Sequence, residues 1–136
     1  IFAALQKSGY TNLPTIPDTN GTIIIDPNPD LPKVGIWIMP DNQNSGEMED
    51  FFLQLIDVED FRLNRARKVI DEMIAEKPDF HLDANRSKAE THTWLAWQQE
   101  PGKSMGLAIK SNWASAEHPL AGRFATWFSR LFEMED

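Results

Sequence analysis

The run VGIWIM at residues 34–39, closed by Pro40 and followed by the polar turn DNQNSG, constrains this chain more than any other stretch. An uncharged run of this length is far too short to span a bilayer and suits a strand covered on both faces. Pro40 ends it, because proline brings no amide donor to a ladder. Beyond the turn, Met48, Phe51, Phe52 and Leu55 recur at helical spacing, which predicts a helix with a core-facing stripe. Asn44 is the expected cap of that helix, with Glu47 three residues later completing a capping box.

The other elements follow from the same signals. The stretch IFAALQKSG carries Phe2 and Leu5 on one side and Gly9 as a stop, and it matches the last turns of a helix. A chain beginning in this way is expected to be the C-terminal portion of a longer protein. TNLPTIPDTNG is a loop by its Pro, Asn and Asp content, and residues 22–26 (TIIID) form a short β-branched strand able to pair with the strand at 34–39.

A second helix is predicted from Asp57 to just before Pro78, burying Val58, Phe61, Ala66, Val69, Ile70 and Met73. A third runs from about Arg86 to Gln99. The last helix takes Pro119 in its first turn and presents Leu120, Phe124, Trp127, Phe128, Leu131 and Phe132 as a broad apolar face. The pattern is α/β, with a small sheet and helices dominating the C-terminal half, in a single domain over residues 1–136.

Composition excludes several functions. With 13 Lys and Arg against 21 Asp and Glu, the formal charge of −8 argues against a protein that coats nucleic-acid phosphates with basic residues. A cleft for a divalent metal remains open to it. The chain has no cysteine, hence no disulfide, thiolate zinc site or cysteine nucleophile, and a cytoplasmic setting is expected. His81, His92 and His118 lack the spacing of a zinc motif. The basic group Arg62, Arg65, Arg67 and Lys68 stands among Glu59, Asp60, Asp71 and Glu72, and so is expected to form a self-paired helix face. The tryptophans, at helical spacing, are expected to be core.

The acids after residue 40 are the remaining source of chemistry. On a helical wheel Glu47 and Asp50 turn away from the apolar stripe, where a helix dipole and water suffice to explain them. Glu49 lies on the flank of the stripe beside Phe52, Leu53 and Ile56. With Asp41, just past the strand end, it offers oxygen ligands of the kind Mg²⁺ and Mn²⁺ prefer, at the place where open α/β sheets put their sites. Lys88 is suited to countering charge on a phosphate.

VGIWIMPDNQNSGEMEDFF, KAETHTWLAWQQEPGKSMGLAI (from Lys88) and FATWFSRLF (from Phe124) together resemble a bacterial domain family of unknown function. That family is similar to the Toprim (topoisomerase-primase) domain, near the overcoming-lysogenization-defect nucleases. The resemblance spans most of residues 34–132. It implies a Toprim-like α/β fold in which an N-terminal Glu and a later Asp-x-Asp hold divalent metal; neither is present here, and the opening helix would follow the Asp-x-Asp strand.

In the related nucleases a Leu-Glu motif adds an acid and a later Lys supports the chemistry. The resemblance therefore implies Glu49 and Lys88 as catalytic residues, with Met48 in place of the usual Leu; with the reading of the acids above, Asp41 and Glu49 are the expected metal ligands. It further implies Mg²⁺ or Mn²⁺ held together with acids this chain lacks, and nucleic acid as the partner of the intact protein. The alternative is a binding or regulatory module that keeps the fold without the chemistry.

Overall fold

The computed structural model describes residues 1–134. The described elements are α1 (Phe2–Lys7), β1 (Thr22–Ile24), β2 (Val34–Ile36), α2 (Met48–Gln54), α3 (Phe61–Glu76), α4 (Arg86–Ala96), α5 (Met105–Lys110) and α6 (Pro119–Phe132). Two short 3-10 turns, Pro78–Phe80 and Asp83–Asn85, join α3 to α4. The α/β character expected from the sequence is observed. None of the described helices is long and apolar enough to cross a membrane.

β1 and β2 form a two-stranded antiparallel sheet with Thr22 opposite Ile36 and Ile24 opposite Val34. Alternation sorts the second strand and its extension onto two faces. Val34, Ile36 and Ile38 join a small core with Tyr10, Ile24, Phe2, Leu5 and Leu13. On the other face Trp37 meets Phe124 of α6 edge-on, with ring centroids 5.2 Å apart. Close approach of α6 depends on two glycines: a Cβ at Gly21 would lie 2.2 Å from Trp127, and one at Gly35 2.3 Å from Leu131. Trp127 fixes the contact by donating its indole N–H to the Thr22 carbonyl at 3.2 Å.

Both strands stop short of the lengths predicted, 22–26 and 34–39. Asp26 leaves the ladder because its carboxylate accepts the backbone N–H groups of Thr11, Asn12 and Asn28, which ties the N-terminal loop to the end of β1. Ile38 leaves it because its N–H donates to Asn42 Oδ1 while its carbonyl accepts the Asn42 N–H. In each case a side-chain turn outcompetes a terminal ladder pair.

The larger core lies among the helices and contains Phe52, Leu55, Ile56, Leu63, Trp94, Leu95, Ala108, Ala114 and Leu120. α3 begins at Phe61, four residues after the predicted start at Asp57, and Val58 (72% exposed), Phe61 (70%) and Met73 (45%) lie outside the core. Asp60 is the reason. Its Oδ1 accepts both the Leu63 N–H at 2.9 Å, capping α3, and the Trp94 indole N–H at 3.0 Å. Capping there buries Leu63, Ala66 and Ile70 and turns Phe61 to solvent under the Arg62 guanidinium. α6 begins at Pro119 as predicted, with His118 Nδ1 accepting the Leu120 N–H.

Candidate functional site

The turn after β2 is built by Asp41. Its Oδ1 accepts the N–H groups of Gln43 and Asn44 at 3.0 and 2.8 Å, and its Oδ2 accepts the Asn44 side-chain amide at 2.8 Å. These bonds, led by that from the Asn44 backbone, hold the Asp41 carboxyl below its ordinary pKa. Asn44 is thereby held in the turn and does not cap α2, contrary to the sequence expectation. The cap falls three residues later at Glu47, whose N–H donates to Asp50 Oδ2 at 2.7 Å. With this register Met48 is 53% exposed, whereas Phe52 is buried.

Glu49 is the buried acid of α2, at 9% exposure. Among the described residues its carboxylate has no hydrogen bond and no ion pair. Opposite it runs the first turn of α4. Lys88 donates to Glu47, 41 residues away in sequence, and Ser87 donates its hydroxyl to Asp50 Oδ1. The Lys88 ammonium is held above its ordinary pKa, first by the bond to Glu47 and further by the charges of Glu47, Glu49 and Asp50. Glu49 and Lys88 thus share one electrostatic neighbourhood. Asp41 belongs to another, since the cation that acts on it is Arg123 of α6.

The other candidates resolve into scaffolding. Arg67 and Arg86 both grip the buried Glu90 of α4, through their Nε atoms at 2.9 and 2.7 Å, and Arg86 reaches on to Asp71 at 2.7 Å. Of the pairing expected within the basic face of α3, the described residues show Arg62 with Asp60 at 3.7 Å, whereas Arg67 turns to Glu90 of α4 and Asp71 is taken by Arg86, so the face is paired mainly across helices. Trp94 and Trp127 are buried, which removes them as stacking platforms, whereas Trp97 is 42% exposed and lies outside the core, contrary to expectation. Among the described residues no group of three or more His, Asp or Glu side chains is placed to hold a metal ion.

Asp50 and Ser87 are the residues sequence reasoning missed. Asp50 stands three residues after the true cap, which is a readable signal once the cap is placed. Ser87 gives no signal, because its partner lies on a different helix.

The chain belongs to the family described as protein of unknown function (DUF3226), which matches residues 1–133. No curated protein and no solved structure matches the chain.

Proposed function

We propose, starting from membership of a family with no known function, that this chain carries part of a Toprim-like site for Mg²⁺- or Mn²⁺-dependent chemistry on phosphodiesters. Glu49 holds the cation, and Lys88 counters charge on the phosphate. One observation carries the reading: Glu49 is 9% exposed as a residue, yet its carboxylate oxygens stay open to solvent and take no hydrogen bond among the described residues, near an ammonium brought in from another helix. An accessible carboxylate whose lone pairs no protein donor fills is a position where a ligand can bind.

Mg²⁺ is commonly held by one or two carboxylates, with water and substrate phosphates filling the octahedron. A fixed three-carboxylate cage is therefore not required. In this reading Asp41 is a peripheral ligand, acting through the one Oδ2 lone pair left after its three hydrogen bonds. Further acids come from outside these residues, as the Toprim resemblance implies. Nucleic acid is the substrate class, approached through the cation and not through a basic surface, and the setting is cytoplasmic.

The test is a Mn²⁺ titration of the protein, followed by incubation with single- and double-stranded DNA and RNA in Mn²⁺. Mn²⁺ binding that Glu49→Ala removes, with cleavage that the same change weakens, is the expected outcome. A second reading, a binding or regulatory module without chemistry, is favoured by the pairing of Lys88 with Glu47 and by the three hydrogen bonds that leave Asp41 little free capacity. It predicts no Mn²⁺ binding, and a Glu49→Ala protein altered only slightly in stability.

A further inference from the structure

We infer that Asp50 and Ser87 are a positioning pair, which sets the spacing between Glu49 and Lys88 by locking the first turn of α2 to the first turn of α4. The inference builds on the reading of Glu49 and Lys88 given above.

Asp50 divides its carboxylate between two helices. Oδ2 accepts the Glu47 N–H at 2.7 Å, and Oδ1 accepts the Ser87 hydroxyl. Capping α2 requires only the first of these bonds. The second gives the cap nothing and fixes α4 instead. The loop before the cap is pressed against the same carboxylate: a Cβ at Gly46 would come within 2.7 Å of Asp50 Oδ2 and 3.0 Å of Pro40 Cδ. Asp50 therefore has little freedom to swing away from Ser87.

The neighbours of this pair in sequence are the two proposed functional residues. Glu49 directly precedes Asp50, and Lys88 directly follows Ser87. One hydrogen bond between Asp50 and Ser87 thus fixes two adjacent backbone positions on each side. Lys88 is a long, flexible side chain, partly exposed and already drawn toward Glu47, so its own ion pair is a poor means of setting the spacing. A short serine on a half-buried backbone, bonded to a clamped carboxylate, is a better one. Outer-shell hydrogen bonds of this kind tune cation affinity through geometry, without touching the ion.

The test compares wild type, Ser87→Ala, Ser87→Thr and Asp50→Asn, with Glu49→Gln introduced into each. In metal-free protein at one fixed pH, the Lys88 Cε–Hε NMR signal should shift when Glu49 becomes Gln. That response should shrink in the Ser87→Ala and Asp50→Asn backgrounds and return in Ser87→Thr, which keeps the hydroxyl. Mn²⁺ affinity should fall about tenfold or more in Ser87→Ala and recover in Ser87→Thr.

A Lys88 response that Ser87→Ala leaves undiminished overturns the positioning role. Failure of the wild-type protein to bind Mn²⁺ overturns the functional reading instead, and the lysine response then decides the positioning role alone.

Discussion

Glu90 and Glu49 are buried to nearly the same extent, at 5% and 9% exposure, yet they have opposite environments. Glu90 is gripped by two arginines, one of which passes the charge on to Asp71. Glu49, on α2, receives no hydrogen bond from the described residues. Burial is therefore a poor guide to function among these acids, and saturation is a better one. A carboxylate whose lone pairs are already filled by well-placed donors is part of the scaffold. One whose lone pairs no protein donor fills is left available for something else.

The largest expected effect comes from the seam both acids depend on. Trp94 is fully buried, meets Phe52 of α2 at 5.7 Å, and donates to the Asp60 that caps α3. Trp94→Ala should cost about 3–5 kcal/mol of unfolding free energy, measured by urea denaturation with linear extrapolation.

The contrast itself is tested by removing one charge at a time. Glu90→Gln weakens two charge-assisted bonds to partly exposed arginines and should cost about 1.5–3 kcal/mol. Glu49→Gln breaks no bond, so its effect on stability should stay within about 0.5 kcal/mol while Mn²⁺ binding is lost. Equal costs for the two substitutions would show that Glu49 is scaffold as well, and would end the comparison.

Acid sharpens it further. The Asp26 carboxyl is lowered from 3.8 to about 2, first by the Thr11 N–H and then by that of Asn28, and Asp41 is lowered by its bonds to Asn44. Groups depressed in the folded state bind protons more readily when unfolded. The stability they contribute is therefore complete above the ordinary value near 3.8 and is lost as the pH falls through the folded value. Asp26→Asn and Asp41→Asn should each flatten the decline in stability below that pH, seen in urea midpoints across an acid series. An acid limb unchanged by both would show that their hydrogen bonds do not persist in solution.

Much of this architecture was legible beforehand, and the residues explain which parts. The two faces of residues 34–38 could be read because period-two alternation leaves no other arrangement once both faces are apolar. The start of α6 could be read from Pro119. The starts of α2 and α3 were misplaced for a common reason: each is preceded by several acids or amides able to cap, and the choice is made by tertiary partners. Trp94 selects Asp60 over Asp57, and Asp41 takes Asn44 out of contention.

Glu49 stood out through its position on the helical wheel. The clamp joining Asp50 to Ser87 did not, because a contact between distant helices leaves no periodic trace in the sequence.

Lys88 supplies the smallest effect on stability and the finest discrimination. Its pair with Glu47 is largely solvent-exposed, so Lys88→Met should change stability by less than about 1 kcal/mol, and by less still at high salt. Its effect on ligands should carry a sign. An ammonium beside Glu49 repels a divalent cation and attracts a phosphate. If Glu49 is the cation site, Lys88→Met should leave Mn²⁺ binding equal or tighter while weakening binding of pyrophosphate or an oligonucleotide. Parallel weakening of both would mean that Lys88 supports the site only by holding α4 in place, and its assignment as the phosphate partner would fall.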